Sequence, residues 1–230
     1  MAILAGGLAT RLRPMTTMTP KSMVDVAGRP FIEHQLGLLR TQGLTDVILL
    51  VGHLGEVIRD ALGDGARLGV RLEYAFDGPR PLGTGGAILH ALPLLGDAFF
   101  VLYGDSYLAC NYREVAKAFE TSGALGLMTV YPNEDQWDRS NVEFADGRII
   151  RYDKRRRWPR MRHIDYGLGM LRPAAFAGRI DGEAFDLADV YIGLLGRGAL
   201  AGLEVTTRFY EIGSPSGLEE TRQLLGSLHE

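Results

Sequence analysis

Residues Leu4 to Lys21 read Leu-Ala-Gly-Gly-Leu-Ala-Thr-Arg-Leu-Arg-Pro-Met-Thr-Thr-Met-Thr-Pro-Lys, and this segment is the most informative one in the chain. The apolar run that leads into it, Met1 to Ala5, predicts a short buried strand that stops at Gly6-Gly7. Three cations follow the glycines: Arg11, Arg13 and Lys21. Glycines let peptide N–H groups approach an anion closely, and cations neutralise it. Together these features predict a phosphate-binding segment, although a bare glycine pair also fits an ordinary turn after a strand.

The spacing of this segment excludes two common phosphate loops. Lys21-Ser22 is not preceded by G-x-x-x-x-G, so the segment is not a P-loop, and Gly6-Gly7 lacks the G-x-G-x-x-G pattern of dinucleotide-binding proteins. The stretch instead resembles the G-G-x-x-T-R-L-R-P…P-K opening of the sugar-1-phosphate nucleotidyltransferases, also called nucleotide-sugar pyrophosphorylases. The resemblance extends over essentially the whole chain and is strongest to members acting as mannose or manno-heptose 1-phosphate guanylyltransferases.

The resemblance implies a fold and a first set of site residues. The fold would be a three-layer α/β/α, Rossmann-like nucleotidyltransferase fold with a mainly parallel mixed sheet. The nucleotide would contact the end of the first strand and the glycine pair, at Leu4, Ala5, Gly6 and Gly7. Arg11 would hold the triphosphate, and Lys21 would hold the phosphate that is transferred.

Length, charge and cysteine content limit the class of protein. With 230 residues the chain can bury a core without disulfides or a structural metal, and we expect one domain over residues 1–230. The single Cys110 fits a reducing compartment and a role in the core. A net charge of −3 and the absence of a long apolar segment argue against nucleic-acid or membrane partners, and indicate a cytoplasmic location. A homo-oligomer remains open.

Apolar runs alternate with helical patterns in the first part of the chain, which predicts βα units on a mainly parallel sheet. The predicted strands are Ala2–Ala5, Asp46–Val51, Val70–Phe76, Phe99–Tyr103 and Leu125–Tyr131. The predicted helices are Pro30–Leu39, Glu56–Leu62, Ala87–Leu92 and a helix from the Asn111 cap to about Thr121.

The pattern changes after about residue 131. A hairpin is predicted with strands Asn141–Phe144 and Arg148–Tyr152 around an Asp146-Gly147 turn. A strand over Asp165–Leu171 and a final helix that starts at Ser214-Pro215 follow. We therefore expect a nucleotide-binding part over about 1–131 and a sugar-phosphate-binding part over about 132–230, within the single domain.

Two acidic residues follow apolar strands and are candidate Mg²⁺ ligands. Phe99 to Gly104 delivers Asp105 at the end of a strand, where open α/β sheets bind ligands, and carboxylate oxygens suit Mg²⁺. Asp105 could also simply hydrogen-bond its own turn. The resemblance implies that Asp105 is the first metal ligand and Glu211 the second. Most members have Asp at the second position, so Glu211 is also open to interpretation as a surface carboxylate before a helix cap.

A second glycine-rich segment, Leu82-Gly83-Thr84-Gly85-Gly86, precedes the predicted helix Ala87–Leu92. The resemblance implies that Gly83, Thr84 and Gly85 contact the nucleobase. Three glycines would leave room for a purine and expose peptide groups to its edge, and this favours GTP. A flexible turn before a helix is the alternative.

Four residues of the later part are candidate sugar-phosphate contacts by the same resemblance: Asn141, Glu143, Lys154 and Asp165. Lys154 would hold the incoming phosphate, although the Glu and Pro that usually flank this lysine are absent. Asp165 replaces the Asn of the family's Asn-Ala-Gly. The basic residues that follow Lys154 fit either anion capture or a solvated loop.

The sequence therefore predicts a Mg²⁺-dependent enzyme of nucleotide-sugar biosynthesis that makes an NDP-sugar and pyrophosphate from an NTP and a sugar 1-phosphate. GTP with a mannose- or heptose-type 1-phosphate is the favoured pair. A uridylyl- or thymidylyltransferase for a hexose or amino-sugar 1-phosphate is an alternative, as is a non-catalytic nucleotide-sugar sensor.

Overall fold

The structure, a computed structural model, describes residues 1–7, 12, 16 and 18–228. The chain divides into two compact units. The first comprises Met1–Pro81, Leu102–Ala109 and Phe209–Glu230, and the second comprises Leu82–Val101 and Cys110–Arg208. The boundary expected near residue 131, between the nucleotide-binding and the sugar-phosphate-binding part, lies inside the second unit. The assignment of one domain to the whole chain stays a prediction.

The first unit is built on parallel strands. Its strands and helices are β1 (Ala2–Leu4), β2 (Asp25–Val26), β3 (Arg29–Pro30), α1 (Phe31–Thr41), β4 (Asp46–Val51), α2 (Gly55–Leu62), β5 (Arg71–Phe76), β7 (Ser106–Tyr107), β13 (Tyr210–Glu211) and α6 (Pro215–Ser227). Strands β1, β4 and β5 pair in parallel in that order. The apolar residues of β1 and β4 are nearly continuous, as expected of strands covered on both faces, whereas β5 includes Arg71 and Glu73. Short 3₁₀ turns occur at Lys21–Met23 and Ala66–Leu68.

An apolar cluster of the first unit fixes the ends of two short strands that carry candidate site residues. Tyr107 of β7 and Ile212, which follows β13, pack in one buried cluster with Phe31 of α1 and Leu218 of α6. Strands β7 and β13 pair antiparallel, with Glu211 opposite Ser106. Burial of large apolar side chains contributes about 1.5–3 kcal/mol each, so this cluster holds the backbone beside Asp105 and Glu211 firmly.

The second unit has a mixed sheet with more antiparallel pairs. Its elements are α3 (Gly83–Ala91), α4 (Tyr112–Ser122), β8 (Gly126–Pro132), β9 (Val142–Ala145), β10 (Arg148–Tyr152), β11 (His163–Leu171), α5 (Leu187–Gly196) and β12 (Leu200–Glu204), with 3₁₀ turns at Leu92–Leu94 and Pro173–Phe176. Strand β8 pairs antiparallel with β11 and parallel with β12, and β9 pairs antiparallel with β10 and β11. Strand β6 (Phe99–Tyr103) contributes its first three residues to this unit and its last two to the first unit.

A bulge in β11 shapes the second unit's candidate site. The register between β11 and β8 shifts between Asp165 and Gly169, and Gly167 within the bulge has a φ of +94°. Only glycine adopts this conformation readily. Bulges redirect side chains at sites, and here the redirected residue is Asp165, at the start of the bulge.

Most predicted elements are confirmed within one or two residues, and the α/β class is confirmed. The strands Asp46–Val51 and Phe99–Tyr103 have the predicted bounds. Asn111 caps α4, and Asp146-Gly147 forms the hairpin turn with both φ angles positive. Among the described residues, none of the helices has the length and apolar character needed to cross a membrane.

Three features differ from the sequence-based expectation. The glycines Gly83 to Gly86 form the first turn of α3 and are not a loop before it. The sequence analysis missed α5, whose residues Leu187–Gly196 have no strong start signal apart from the capping Asp186, and it missed β12. Cys110 is buried as expected of a core residue, and burial raises the pKa of its thiol to about 11.

Candidate functional site

The first unit joins two candidate residues that are 84 positions apart. Lys21 starts the 3₁₀ turn after Pro20, and its Nζ lies 2.6 Å from Oδ2 of Asp105. The Lys21 side chain is 16% exposed and that of Asp105 is 34% exposed, so the carboxylate is the more accessible of the two groups to a ligand. A carboxylate and an ammonium this close form a charge-assisted hydrogen bond.

Backbone contacts explain why a glycine precedes Asp105. The N–H of Gly104 donates to the carbonyl oxygen of Leu4 at 3.0 Å, which brings the end of β6 beside the end of β1. A Cβ on Gly104 would lie 2.5 Å from that same oxygen. The Gly-Asp pair is therefore required for close strand packing as well as for placing a carboxylate at the edge of the sheet.

The residues predicted to contact the nucleotide lie at the end of β1, beside the end of β6, after which Asp105 follows. The N–H of Ala5 donates to the carbonyl of Leu50 at 2.8 Å, and a Cβ on Gly6 would meet the Gly52 nitrogen at 3.0 Å. At Gly7 an added Cβ would meet no atom of the described residues within 4 Å. Gly6 thus serves packing, whereas the described residues place no such packing constraint on Gly7. Arg11 lies outside the described residues.

A buried glutamine that the sequence analysis missed clamps the turn around Asp105. Nε2 of Gln35, on α1, donates to the carbonyl oxygens of Tyr103 at 3.1 Å and Ser106 at 2.7 Å. Gln35 is 1% exposed. A polar side chain within the apolar face of a helix was the available signal, because such a group is buried only when it is hydrogen-bonded.

Glu211 is engaged with the start of α6. Its carboxylate accepts hydrogen bonds from the Gly213 N–H and from the Ser214 hydroxyl at 2.8 Å, and Ser214 caps the helix by accepting from the Gly217 N–H at 3.1 Å. The N–H of Ile212 donates to the carbonyl oxygen of Asp105 at 2.9 Å, so the backbones of the two predicted metal ligands meet.

The two predicted metal ligands, Asp105 and Glu211, differ in how well they suit Mg²⁺. Mg²⁺ commonly takes one or two carboxylates from protein and completes its shell with water and phosphate oxygens, and the part-exposed Asp105 suits that role. Both Glu211 oxygens already accept bonds from the cap of α6, so a cation there would share them with those donors. Within the described ranges, no group of three or more Asp, Glu, His or Cys residues could hold a metal without help from a substrate.

The three glycines of α3 are required by packing inside the second unit. A Cβ on Gly83 would lie 2.5 Å from the Phe185 oxygen, one on Gly85 would lie 2.3 Å from the Phe185 ring, and one on Gly86 would lie 2.4 Å from the Glu183 oxygen. Real Cβ contacts are never this short. The space beside these glycines is therefore filled by the protein itself, which removes the physical argument that the glycines make room for a purine.

One carboxylate of the second unit holds two candidate residues from different motifs. Oδ1 of Asp186 accepts hydrogen bonds from Lys154 Nζ at 3.1 Å and from the Thr84 hydroxyl at 3.2 Å. Asp186 also caps α5 by accepting from the Ala188 N–H at 2.8 Å. Burial opposes ionisation, but the Ala188 N–H, Lys154 and Thr84 outweigh it, and the pKa of Asp186 is lowered.

A second carboxylate organises the predicted sugar contacts around the β11 bulge. Asp165 accepts from the Tyr152 hydroxyl at 3.0 Å and from the Gly167 N–H at 3.1 Å, and its own N–H donates to Oδ1 of Asn141 at 2.9 Å. Burial raises the pKa of Asp165, against the opposing effects of the Lys154 charge and these donors. Asn141, Lys154 and Asp165 are thus brought together.

Glu143 faces the basic segment after β10. Its carboxylate lies 3.9 Å from Arg151 Nε and 3.9 Å from Arg160 Nη1, and its side chain is 16% exposed. The guanidinium of Arg151 stacks 3.9 Å from the Trp158 ring centroid. Hydrogen bonds from the backbone N–H groups of Arg156 and Arg155 lower the pKa of Asp153 and hold the start of this basic segment. Contacts to Glu143, Trp158 and Asp153 therefore hold parts of this basic segment in place.

Comparisons with known proteins agree with the motifs. The sequence model of the family described as Nucleotidyl transferase matches residues 1–151. The N-acetylmuramate alpha-1-phosphate uridylyltransferase of Neisseria meningitidis serogroup B is 32% identical, over 98% of this chain and 97% of that protein. Mannose-1-phosphate guanyltransferase beta-B of Xenopus laevis is 30% identical over 93% of the chain, and the chain spans 61% of its length.

The solved structures support the fold. A putative glucose-1-phosphate thymidylyltransferase from Bacillus anthracis matches with a TM-score of 0.86 and 22% identity, over 98% of this chain and 94% of that one. The similarity establishes the Rossmann-like nucleotidyltransferase architecture that the sequence predicted. The relatives act on different bases, so the similarity alone leaves the nucleotide open.

Proposed function

We propose, from the premise that the chain belongs to the nucleotidyl transferase family, that it transfers a uridylyl group from UTP to an amino-sugar 1-phosphate and releases pyrophosphate. The Lys21–Asp105 pair carries the catalytic part of this proposal. It places a cation and a carboxylate 2.6 Å apart just after the end of β6, at the edge where α/β sheets bind ligands.

In the proposed reaction, an oxygen of the sugar phosphate attacks the α-phosphorus of the nucleotide and pyrophosphate leaves in line. The incoming phosphate is already an anion, so no side chain has to remove a proton from it. The protein's contribution is to position the reactants and to neutralise developing charge. Lys21 would contact the transferred phosphate, Arg11 the triphosphate, and Lys154 the incoming phosphate.

A bound Mg²⁺ would supply charge neutralisation at the phosphate oxygens. Asp105 is the residue we propose to hold it, with Glu211 as the second ligand. The ion pair with Lys21 restricts the orientation of the Asp105 carboxylate. Hydrogen bonds from the Gly213 N–H and the Ser214 hydroxyl, at the start of α6, restrict that of the Glu211 carboxylate.

One observation supports UTP with an amino-sugar substrate, and a second supports an acidic group on that sugar. The Neisseria relative, of matched length, is a uridylyltransferase whose named substrate is a muramate, an amino sugar that bears a carboxylate. Beside Glu143, the second unit presents Arg151 and Arg160, with Arg160 86% exposed, and arginine forks bind carboxylates well. A sugar 1-phosphate with a second acidic group would meet these arginines.

GTP with a mannose- or heptose-type 1-phosphate is the second candidate. The segment Leu82 to Gly86 resembles that of guanylyltransferases, and the Xenopus guanyltransferase aligns over most of this chain. The packing of the glycines against Phe185 removes the argument that they make room for a purine, but peptide groups of this segment could still pair with a guanine edge.

A substrate matrix tests the proposal. UTP, dTTP, CTP and GTP are each combined with the 1-phosphates of N-acetylmuramate, N-acetylglucosamine, glucose, mannose and manno-heptose, and pyrophosphate release is measured with and without EDTA. We expect the highest kcat/KM for UTP with an amino sugar, and its loss in EDTA. A higher value for GTP with mannose or heptose 1-phosphate would favour the second candidate. An absence of turnover with every pair would support the sensor alternative.

A further inference from the structure

We propose that Asp186 is a positioning residue that aims Lys154 at the phosphate of the incoming sugar 1-phosphate. The inference rests on the proposed function for the identity of the ligand. The sequence offered no reason to select Asp186, which lies 32 residues from Lys154 and 102 residues from Thr84. The structure joins all three at one carboxylate oxygen.

The local geometry makes Asp186 a fixed point for a flexible side chain. It is the N-cap of α5, where its Oδ1 accepts from the Ala188 N–H at 2.8 Å. The Thr84 hydroxyl donates to the same oxygen and also accepts from the Leu187 N–H at 2.8 Å. The bonds to Oδ1 from Ala188 and Thr84 favour one orientation of the carboxylate. Lysine has a long stem with many rotamers, so an ion pair to an immobile partner removes much of that freedom before substrate arrives.

The charges around Lys154 agree with a waiting phosphate-binding group. Burial favours the neutral form of both Asp165 and Asp186, and the Lys154 charge opposes burial at both carboxylates. The pKa of Asp165 nevertheless stays raised, whereas that of Asp186 is lowered. The Lys154 side chain is 32% exposed and that of Asp186 is 46% exposed, so a dissolved phosphate can reach this ion pair.

Asp186→Asn separates this role from helix capping. Asparagine is as good an N-cap as aspartate, so its oxygen can keep the bonds from Ala188 and Thr84. Only the negative charge opposite Lys154 is lost. We expect KM for the sugar 1-phosphate to rise about tenfold, with KM for the nucleotide and the melting temperature nearly unchanged. Asp189→Asn, an exposed acid on the same helix, is the matched control and should leave both KM values unchanged.

A double-mutant cycle with Lys154→Ala completes the test. If Asp186 acts through Lys154, Asp186→Asn has no further effect on KM for the sugar 1-phosphate once Lys154 is alanine. Equal effects in both backgrounds, an unchanged KM in the single variant, or a rise in the nucleotide KM of the same size would overturn the inference. If the wild-type protein turns over no substrate pair, the proposed function fails instead, and the two failures are therefore distinguishable.

Discussion

The two units hold their candidate residues in different ways. In the first unit, the hydrogen bonds that hold the turn around Asp105 end on backbone carbonyls: Gly104 donates to Leu4, Ile212 to Asp105, and the Gln35 side chain to Tyr103 and Ser106. In the second unit, the acceptors are side-chain carboxylates, because Asp165 and Asp186 collect donors from distant segments. The position of a backbone acceptor depends on strand pairing and changes little with one substitution. A side-chain acceptor can be altered by one substitution without disturbing the sheet.

This difference suggests a division of labour. The first unit would carry the steps common to all nucleotidyl transfers, through Lys21, Asp105 and a metal. The second unit would select the sugar phosphate through Asn141 and Lys154. Substitutions in the first unit should therefore reduce kcat, whereas those in the second should raise KM for the sugar 1-phosphate.

The largest expected effect is that of Asp105→Asn. Loss of the carboxylate removes the partner of Lys21 and the proposed Mg²⁺ ligand, so kcat should fall about 10²-fold or more, as for other losses of transition-state charge contacts. Steady-state kinetics at saturating Mg²⁺ measure this. Asp60→Asn, an exposed acid of the same unit, is the control and should be neutral. A wild-type kcat in Asp105→Asn would contradict the assignment of the catalytic step to the first unit.

Lys154→Ala should chiefly raise KM for the sugar 1-phosphate, by about tenfold or more, because a charged hydrogen bond to phosphate contributes roughly 1.5–3 kcal/mol. The KM for the nucleotide should stay within about twofold. Lys117→Ala, an exposed lysine of α4, controls for loss of surface charge. If kcat falls and both KM values hold, Lys154 belongs with the groups that act in the transition state, and the division between the units is wrong.

Gly85→Ala tests whether the glycine segment serves packing. Its Cβ would overlap the Phe185 ring at 2.3 Å, so stability should drop by about 1–3 kcal/mol, measured by urea unfolding. Gly193→Ala, on α5 of the same unit, meets no described atom within 4 Å and should be neutral or stabilising by up to about 1 kcal/mol. Equal stability of the two variants would restore the view that the glycines leave space for a base.

Glu211→Gln separates a helix cap from a metal ligand. Glutamine keeps one acceptor for the Gly213 N–H or the Ser214 hydroxyl, so we expect a stability loss of about 1 kcal/mol from the weakened start of α6. If Glu211 is also a ligand, the Mg²⁺ concentration for half-maximal rate rises in this variant. Glu219→Gln, on the surface of α6, is the control. An unchanged Mg²⁺ requirement would limit Glu211 to the capping role.

The smallest expected effect is on pH dependence. The pKa of Asp165 is raised by burial above its ordinary 3.8, so the folded state binds its proton more tightly than the unfolded state does. Its contribution to stability is therefore present below pH 3.8 and is lost as pH rises through the folded-state pKa. Asp165→Asn should remove this fall, which melting curves at a series of pH values would detect. Parallel wild-type and variant curves would count against it.

The difference between the units also explains what the sequence could predict. Gly104-Asp105 and Asp46–Val51 were predictable because strand ends and apolar runs are local signals, and parallel strands present their ends at one edge. The Asp186 contacts were not, because they join Thr84, Lys154 and α5 across long separations. The need for Gly85 was visible, but its cause was not, since a glycine has the same local signature whether a ligand or Phe185 fills the space beside it.

In the proposed reaction, the nucleotidyl group moves with its α-phosphorus to a sugar 1-phosphate. This transfer can be followed with UTP that carries ³²P at either the α or the γ position, with Mg²⁺ and N-acetylmuramate or N-acetylglucosamine 1-phosphate. We expect the α label to enter the sugar nucleotide and the γ label to leave in pyrophosphate. The appearance of γ label on the sugar would contradict this reaction. So would the absence of label from every sugar product when UTP and, in parallel, each of the other α-labelled nucleotides are tested.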